Sequence, residues 1–222
     1  MSQFVDCTGD SAEGIELAAS AVRDGHLVVL PTDTVYGIGA DAFTPAAVQR
    51  LLEAKGRGRD MPVPVLVADA GVLEAVTTLQ SEAAEALVEE FWPGALTLVC
   101  PEQPSLRWDL GDADGTVAVR SPQHPLALAL LRRSGPMAVS SANVSGRPPA
   151  RTATEAQEQL GDLVAVYLEA GAVEAGTDTT EVGLPSSIVD VTGPTPRLLR
   201  AGAISLNRLR QVVPGLSPPE GD

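Results

Sequence analysis

The sequence predicts a mixed α/β fold in one domain. Short apolar runs of strand length recur along the chain, at 27–30, 63–67, 95–100, 116–120, 137–139, 164–169 and 186–190. Between them lie segments with helical periodicity and recognisable caps, at 11–23, 44–55, 81–91 and 124–133. Several apolar runs end directly in small polar residues, where α/β sheets present ligand-binding groups. At 222 residues the chain is long enough for one sizeable core. Residues 1–210 are expected to form it, with 211–222 as a flexible tail.

Ser11 is the expected cap of a helix through about Arg23, ended by Gly25. The strand Leu27–Leu30 runs into Pro31–Asp41, read as a hydroxyl-rich turn in which Thr32, Asp33 and Thr34 hold a ligand or cap their own backbone. Thr44-Pro45 opens the helix that ends at Lys55. Pro64 within the run 63–67 predicts an edge strand or a bulge. Asp69 and Ser81 are expected caps of the next two helices, and Phe91-Trp92 are expected core anchors before a turn at Pro93-Gly94. Residues 102–115 read as a loop that moves. The strand Thr116–Arg120 ends in an arginine suited to clamp a carboxylate or phosphate, or to form a surface ion pair. His124 is read as a helix cap, and Thr154 with Gln157 as a capping box. Residues 171–185 read as a flexible loop, 186–190 and 196–199 as a hairpin, and Ser205 as the start of a last helix.

The formal charge of −14 argues against a broad nucleic-acid surface but leaves room for a small cationic pocket. Cys7 and Cys100 have no metal-ligand spacing and fit a reducing compartment. No signal-peptide core and no run of membrane-spanning length is present, so the expected location is the cytoplasm, away from membranes.

The stretch Lys55-Gly56-Arg57-Gly58-Arg59 sets three cations at alternate positions, and Lys55 is the only lysine against fourteen arginines. The glycines let a ligand approach the backbone, so the three cations are read as converging on one anion or as an ordinary basic helix end. No Walker loop occurs. Ser140-Ser141-Ala142-Asn143-Val144-Ser145 is a second polar turn after a strand. Neither histidine sits in a triad pattern and no GxSxG is present, so these hydroxyls are read as binding groups. The clusters at 32–34, 55–59, 140–145 and 186–187, with Arg120 and Arg200, fit one pocket for a polyanion and a small polar molecule.

Seven motifs carry a family resemblance, in order along the chain: Pro31–Gly37, Lys55-Gly56-Arg57, Phe91–Gly94, Thr116–Arg120, Ser140–Gly146, Ser186 in its loop, and Leu198-Leu199-Arg200. With these the sequence resembles the YrdC family of threonylcarbamoyl-adenylate synthases, in its short form, over about residues 12–210. The resemblance implies a twisted mixed sheet with surrounding helices and a deep central cavity. It implies synthesis of threonylcarbamoyl-AMP from L-threonine, bicarbonate and ATP with Mg²⁺, releasing pyrophosphate, with the product passed to a tRNA threonylcarbamoyl transferase complex. It assigns threonine to Thr34, Arg120 and Ser186, and ATP to Lys55, Arg57, Thr116, Ser141, Asn143 and Arg200, with Lys55 and Arg57 catalytic and no protein metal ligand. Gly58 and Met61 stand where many relatives have Pro and Asn, and Leu66 and Pro149 where some have His and Ser. Alternatives are a non-catalytic RNA-binding relative in direct contact with tRNA, and a paralogue using another amino acid or carbamoyl donor.

Overall fold

The computed structural model describes residues 2–79, 81–173 and 184–219. Among them, ten strands form one mixed sheet: β1 (Gln3–Asp6), β2 (Val28–Leu30), β3 (Gly37–Asp41), β4 (Val65–Leu66), β5 (Leu96–Pro101), β6 (Thr116–Arg120), β7 (Met137–Ser141), β8 (Val166–Glu169), β9 (Ser187–Asp190) and β10 (Arg197–Arg200). Their order across the sheet is β1-β8-β2-β3-β7-β4-β6-β5-β9-β10. The helices are α1 (Ala12–Arg23), α2 (Pro45–Lys55), α3 (Gly71–Val76), α4 (Glu82–Phe91), α5 (Pro125–Ser134), α6 (Ala153–Leu160) and α7 (Leu206–Val212).

Side chains alternate between two cores, one on each face of the sheet. On β5, Leu96, Leu98 and Cys100 enter the larger core, under helices that include α2, α4 and α7. The smaller core packs α1 and α5 onto Val28, Leu30, Met137 and Val139. These two helices cover only part of their face. The uncovered part, over β4, β6, β5 and β9, exposes Leu66, Ala118, Val99 and Ile188 to a pocket.

Local chemistry sets the element ends. Gly56 ends α2 at φ +61°, where glycine carries no penalty. Ser81 and Ser205 accept from the amides of Ala84 and Arg208, as expected of caps. Ser11 and His124 take cap positions without making the side-chain bond. The cap lies two residues before the expected capping box: Thr152 Oγ1 accepts from Glu155 N at 3.0 Å, while Glu155 Oε2 accepts from Arg151 N, one residue outside the cap, at 2.7 Å.

Two further expectations are corrected, and the 102–115 loop is found fastened. The stretch read as a turn to Asp41 contains β3, a fully paired interior strand. Its glycines are needed for close packing, because a Cβ on Gly37 would stand 2.6 Å from Val139 and one on Gly39 2.6 Å from Met137. The strand after Pro64 is interior, not edge: β4 lies between β7 and β6. Pro64 escapes the usual penalty by preceding the paired residues and offering its carbonyl to Val139 N at 2.9 Å. The 102–115 loop is tied down by backbone bonds, including Val63 N to Leu110 O and Asp112 N to Arg59 O, both 2.8 Å.

Of the expected tail, Gln211 and Val212 end α7, Leu216 is buried, and Ser217 is bonded to Pro196 and Leu198. Residues 220–222, and 174–183 of the expected flexible loop, lie outside the described residues. No helix among the described residues is long and apolar enough to cross a membrane.

Candidate active site

The uncovered sheet face carries a pocket of about 340 Å³, a volume suited to a small-molecule ligand. Thr34, Arg57, Arg120, Ser141, Ser186 and Arg200 all line it. They come from strand ends and loops distributed along the chain, and the sheet brings them to one place.

Arg120, at the C-terminal end of β6, is 6 % exposed. Its Nε donates to Gly94 O at 2.8 Å, Nη1 to Thr34 Oγ1 at 3.0 Å, and Nη2 to Asp33 Oδ1 at 2.7 Å. It is therefore a buried ion pair, not the surface pair weighed from sequence. Arginine has five N–H donors. Three are fixed here, leaving one on each terminal nitrogen for an incoming oxyanion. Burial favours loss of the charge and the Asp33 carboxylate opposes it. Asp33 Oδ1 also accepts from Gln123 N at 2.9 Å, which anchors the carboxylate from a second side.

Ser186, just before β9, is 6 % exposed. Arg200 donates to its carbonyl from Nε at 3.1 Å and from Nη2 at 2.8 Å. Arg57 reaches Ser140 Oγ at 3.2 Å and Pro62 O at 3.4 Å, while its buried Nε has no partner. Burial weakens the proton affinity of both arginines, and Arg200 is further opposed by the charges of Arg120 and Arg57. Three arginines face the pocket against the Asp33 carboxylate, so it carries unsatisfied positive charge that an anion relieves.

The three alternate cations of the basic turn do not converge. Only Arg57 enters the pocket. Arg59 points away and pairs with Asp109 at 2.6 Å and Asp112 at 3.3 Å, both in the 102–115 loop. Lys55 is 2 % exposed and stands behind the pocket wall. Its Nζ donates to Ser141 O at 2.5 Å and Asn143 O at 2.8 Å, with Asn143 Oδ1 at 3.4 Å. The 141–145 turn thus wraps an ammonium, and Ser145 N closes it on Lys55 O at 2.9 Å. Burial, with the Arg57 charge second, pulls the Lys55 ammonium down to about 8.

Asn143 spends its amide on Val144 O and Arg147 O and serves the same turn. Thr116 lies on the Ala118–Arg120 side of β6, but its hydroxyl donates to Ala113 O at 2.7 Å. Lys55, Asn143 and Thr116 are thus outside the lining of the pocket, while the other six predicted residues form part of it.

The Sua5/YciO/YrdC family model, described as telomere recombination, matches residues 20–202. The chain belongs to this family. A Mycobacterium tuberculosis relative is 53 % identical over 215 residues, covering 96 % of each chain. The threonylcarbamoyl-AMP synthase of Bacillus subtilis is 40 % identical, covering 95 % of this chain and 60 % of its own length. The crystal structure of Pyrococcus abyssi Sua5 complexed with L-threonine superposes with a TM-score of 0.89 at 35 % identity, covering 98 % of this chain and 62 % of that one. This chain thus spans less than two thirds of the Bacillus and Pyrococcus proteins and almost all of the mycobacterial one.

Within this Sua5/YciO/YrdC chain, two of the four departures from the family pattern bear on the pocket. Leu66 and Pro149 line it, and each brings an apolar surface. Met61 is exposed, and Gly58 sits where a Cβ would collide with the Asp60 carboxylate. Gly94 and Thr97 were not expected at the site, and Asp33, expected to hold a ligand or cap its own turn, instead holds Arg120. Gly94 contributes through its carbonyl and Asp33 through a partner far away in sequence, neither of which a residue type reveals. Thr97 did leave a sign, being the one hydroxyl in the apolar run Leu96–Cys100.

Proposed function

We propose that this protein synthesises threonylcarbamoyl-AMP from L-threonine, bicarbonate and ATP, releasing pyrophosphate, for threonylcarbamoyladenosine modification of tRNA. The observation that carries the reading is the pocket itself, where Arg57, Arg120 and Arg200 face one volume together with the hydroxyls of Thr34, Ser141 and Ser186. The likeness to a Sua5 complexed with L-threonine and to the Bacillus synthase supports it.

In this reading the two spare donors of Arg120 hold the threonine carboxylate, with Thr34 and Ser186 beside it. The threonine amine takes up bicarbonate with loss of water to give a carbamate. A carbamate oxygen then attacks the α-phosphorus of ATP, and the bond from that phosphorus to the pyrophosphate oxygen breaks. Arg57 and Arg200 neutralise the charge that collects on the departing pyrophosphate. The pocket acts through position and charge and needs no side-chain nucleophile. Lys55 and Asn143 serve by holding the Ser141 turn in shape.

Among the described residues no group of three or more His, Cys, Asp or Glu is placed to hold a metal ion. In this reading Mg²⁺ enters with the phosphates of the ATP that brings it. The product leaves for a tRNA threonylcarbamoyl transferase complex in the cytoplasm.

Pyrophosphate release from Mg·ATP, with threonine and bicarbonate added singly and together, tests the reading. Release that needs both, with an adenylate of the matching mass, is expected. Arg57→Ala should slow it about a hundredfold, the size of one lost charge-stabilising donor. Release with a different amino acid would change the substrate, and no release would overturn the reading.

A further inference from the structure

Thr97 stands on the pocket-facing side of β5, two residues before Val99, which lines the same pocket. A valine would fill that position of the strand equally well, so the hydroxyl is the part that needs a reason. It is buried at 3 % exposure, and its Oγ1 lies 2.7 Å from Ser186 Oγ.

Ser186 is the point where the two halves of the pocket meet. Its hydroxyl accepts a hydrogen bond from Arg200 Nη2 at 3.2 Å, while its carbonyl accepts two more from the same guanidinium. The surrounding backbone is locked as a unit. A Cβ on Gly202 would collide with the Pro185 and Ser186 backbone, and Ala203 N donates to Pro185 O at 2.9 Å. Ser187 Oγ donates to Ile204 O at 2.7 Å and accepts from Ile204 N at 3.0 Å. Ser186 and Arg200 are therefore held to each other.

A serine hydroxyl has two lone pairs and one proton. Arg200 occupies one lone pair. If Ser186 donated to Thr97, its proton would be spent inside the protein and it could only accept from a ligand. If Thr97 donates instead, both lone pairs are filled and the single proton points at the ligand. A pocket lined by three arginines is built for oxyanions, which need donors.

We propose that Thr97 is a positioning residue: it donates to Ser186, turns the Ser186 proton toward the bound substrate, and so couples the amino-acid half of the pocket to the nucleotide half held by Arg200. The naming of the two halves rests on the proposed synthase reading, whereas the coupling between Thr97, Ser186 and Arg200 does not.

The test is a set of three variants, Thr97→Val, Thr97→Ser and Ser186→Ala, with the Thr97→Val/Ser186→Ala double variant. Pyrophosphate release gives KM for threonine and for ATP. Calorimetry gives the affinities for L-threonine and for ATP independently of turnover, and thermal melting checks the fold. Thr97→Val should raise the threonine KM and dissociation constant about fivefold, the size of one oriented hydrogen bond, with the loss in KM rather than kcat. Thr97→Ser should restore them. The double variant should be no weaker than Ser186→Ala alone, because the two act through one bond.

Equal loss in Thr97→Val and Thr97→Ser would overturn the proposal, since shape rather than the hydroxyl would then matter. Additive losses in the double variant would also overturn it. If the wild type releases no pyrophosphate, the synthase reading fails by itself, and the double-variant comparison on ATP affinity still decides the coupling. A wild type that binds neither ligand overturns both.

Discussion

Lys55, Arg57 and Arg59 are near neighbours in sequence and do three different things. Arg57, Arg120 and Arg200 lie far apart in the chain and face the same pocket. The basic turn follows a helix end, where successive residues fan out, so one side chain is caged by carbonyls, one enters the pocket, and one pairs with a neighbouring loop. Arg120 and Arg200 end strands of one sheet, and the sheet makes their ends coincide. Charge density along a chain is thus a poor guide to charge density in space, while strand ends are a good one.

The contrast breaks most sharply at Arg120. Arg120→Ala removes the partner of a nearly buried Asp33 carboxylate and three hydrogen bonds at once. It should cost about 3–5 kcal/mol in urea unfolding, the range for a broken buried pair, and abolish threonine-dependent pyrophosphate release. Arg120→Lys should recover part of the stability and little of the release, because an ammonium lacks the fork. An Arg120→Ala protein as stable as wild type would remove the buried pair from the account.

Lys55 gives a middle-sized effect with a pH signature. Its folded value of about 8 lies below the 10.5 of an ordinary lysine. Between those two values the unfolded chain binds more protons, so wild-type stability rises with pH there. Methionine at 55 cannot titrate. The stability gap between wild type and Lys55→Met should widen from pH 7 to pH 10, on the order of 2 kcal/mol. Denaturant titrations of both proteins at the two pH values decide it, and a constant gap would contradict the buried-ammonium picture.

The smallest effect belongs to Arg59. Its pair with Asp109 is about half exposed on both sides, at 46 % and 43 %. Arg59→Ala should leave the urea midpoint close to that of wild type, because solvent screens an exposed pair, and leave pyrophosphate release within about twofold. A loss as deep as that of Arg57→Ala would mean that the 102–115 loop takes part in the chemistry.

Much of this architecture was legible in the sequence, for reasons that differ from place to place. Helix α2 announced itself by Thr44-Pro45 at one end and Gly56 at the other, and β6 by strict alternation from Thr116 to Arg120. The strand β3 did not, because Gly37 and Gly39 have no side chains to alternate, and their need arises from Val139 and Met137 across the sheet. The edge strand β1 is short and largely exposed, with no apolar run to mark it. In the site, residues that present a side chain to the pocket (Thr34, Arg57, Arg120, Ser186, Arg200) were readable by type and position. The placement of Lys55 behind the pocket wall was not legible, because its partners are backbone carbonyls of the 141–145 turn, and a carbonyl carries no residue identity. The ties of the 102–115 loop were not legible, because Arg59 and Asp109 advertise their pairing only once folded.

The two-residue strand β4 has a mechanical consequence. It is the sole strand joining the flank β1-β8-β2-β3-β7 to the flank β6-β5-β9-β10 among the described residues. Thr34 belongs to the first flank, and Arg120, Ser186 and Arg200 belong to the second. The bonds from Arg120 to Thr34 and Asp33 already lace this seam. Any molecule gripped by residues from both flanks becomes a cross-tie at the narrowest waist of the sheet, so occupancy and rigidity rise together.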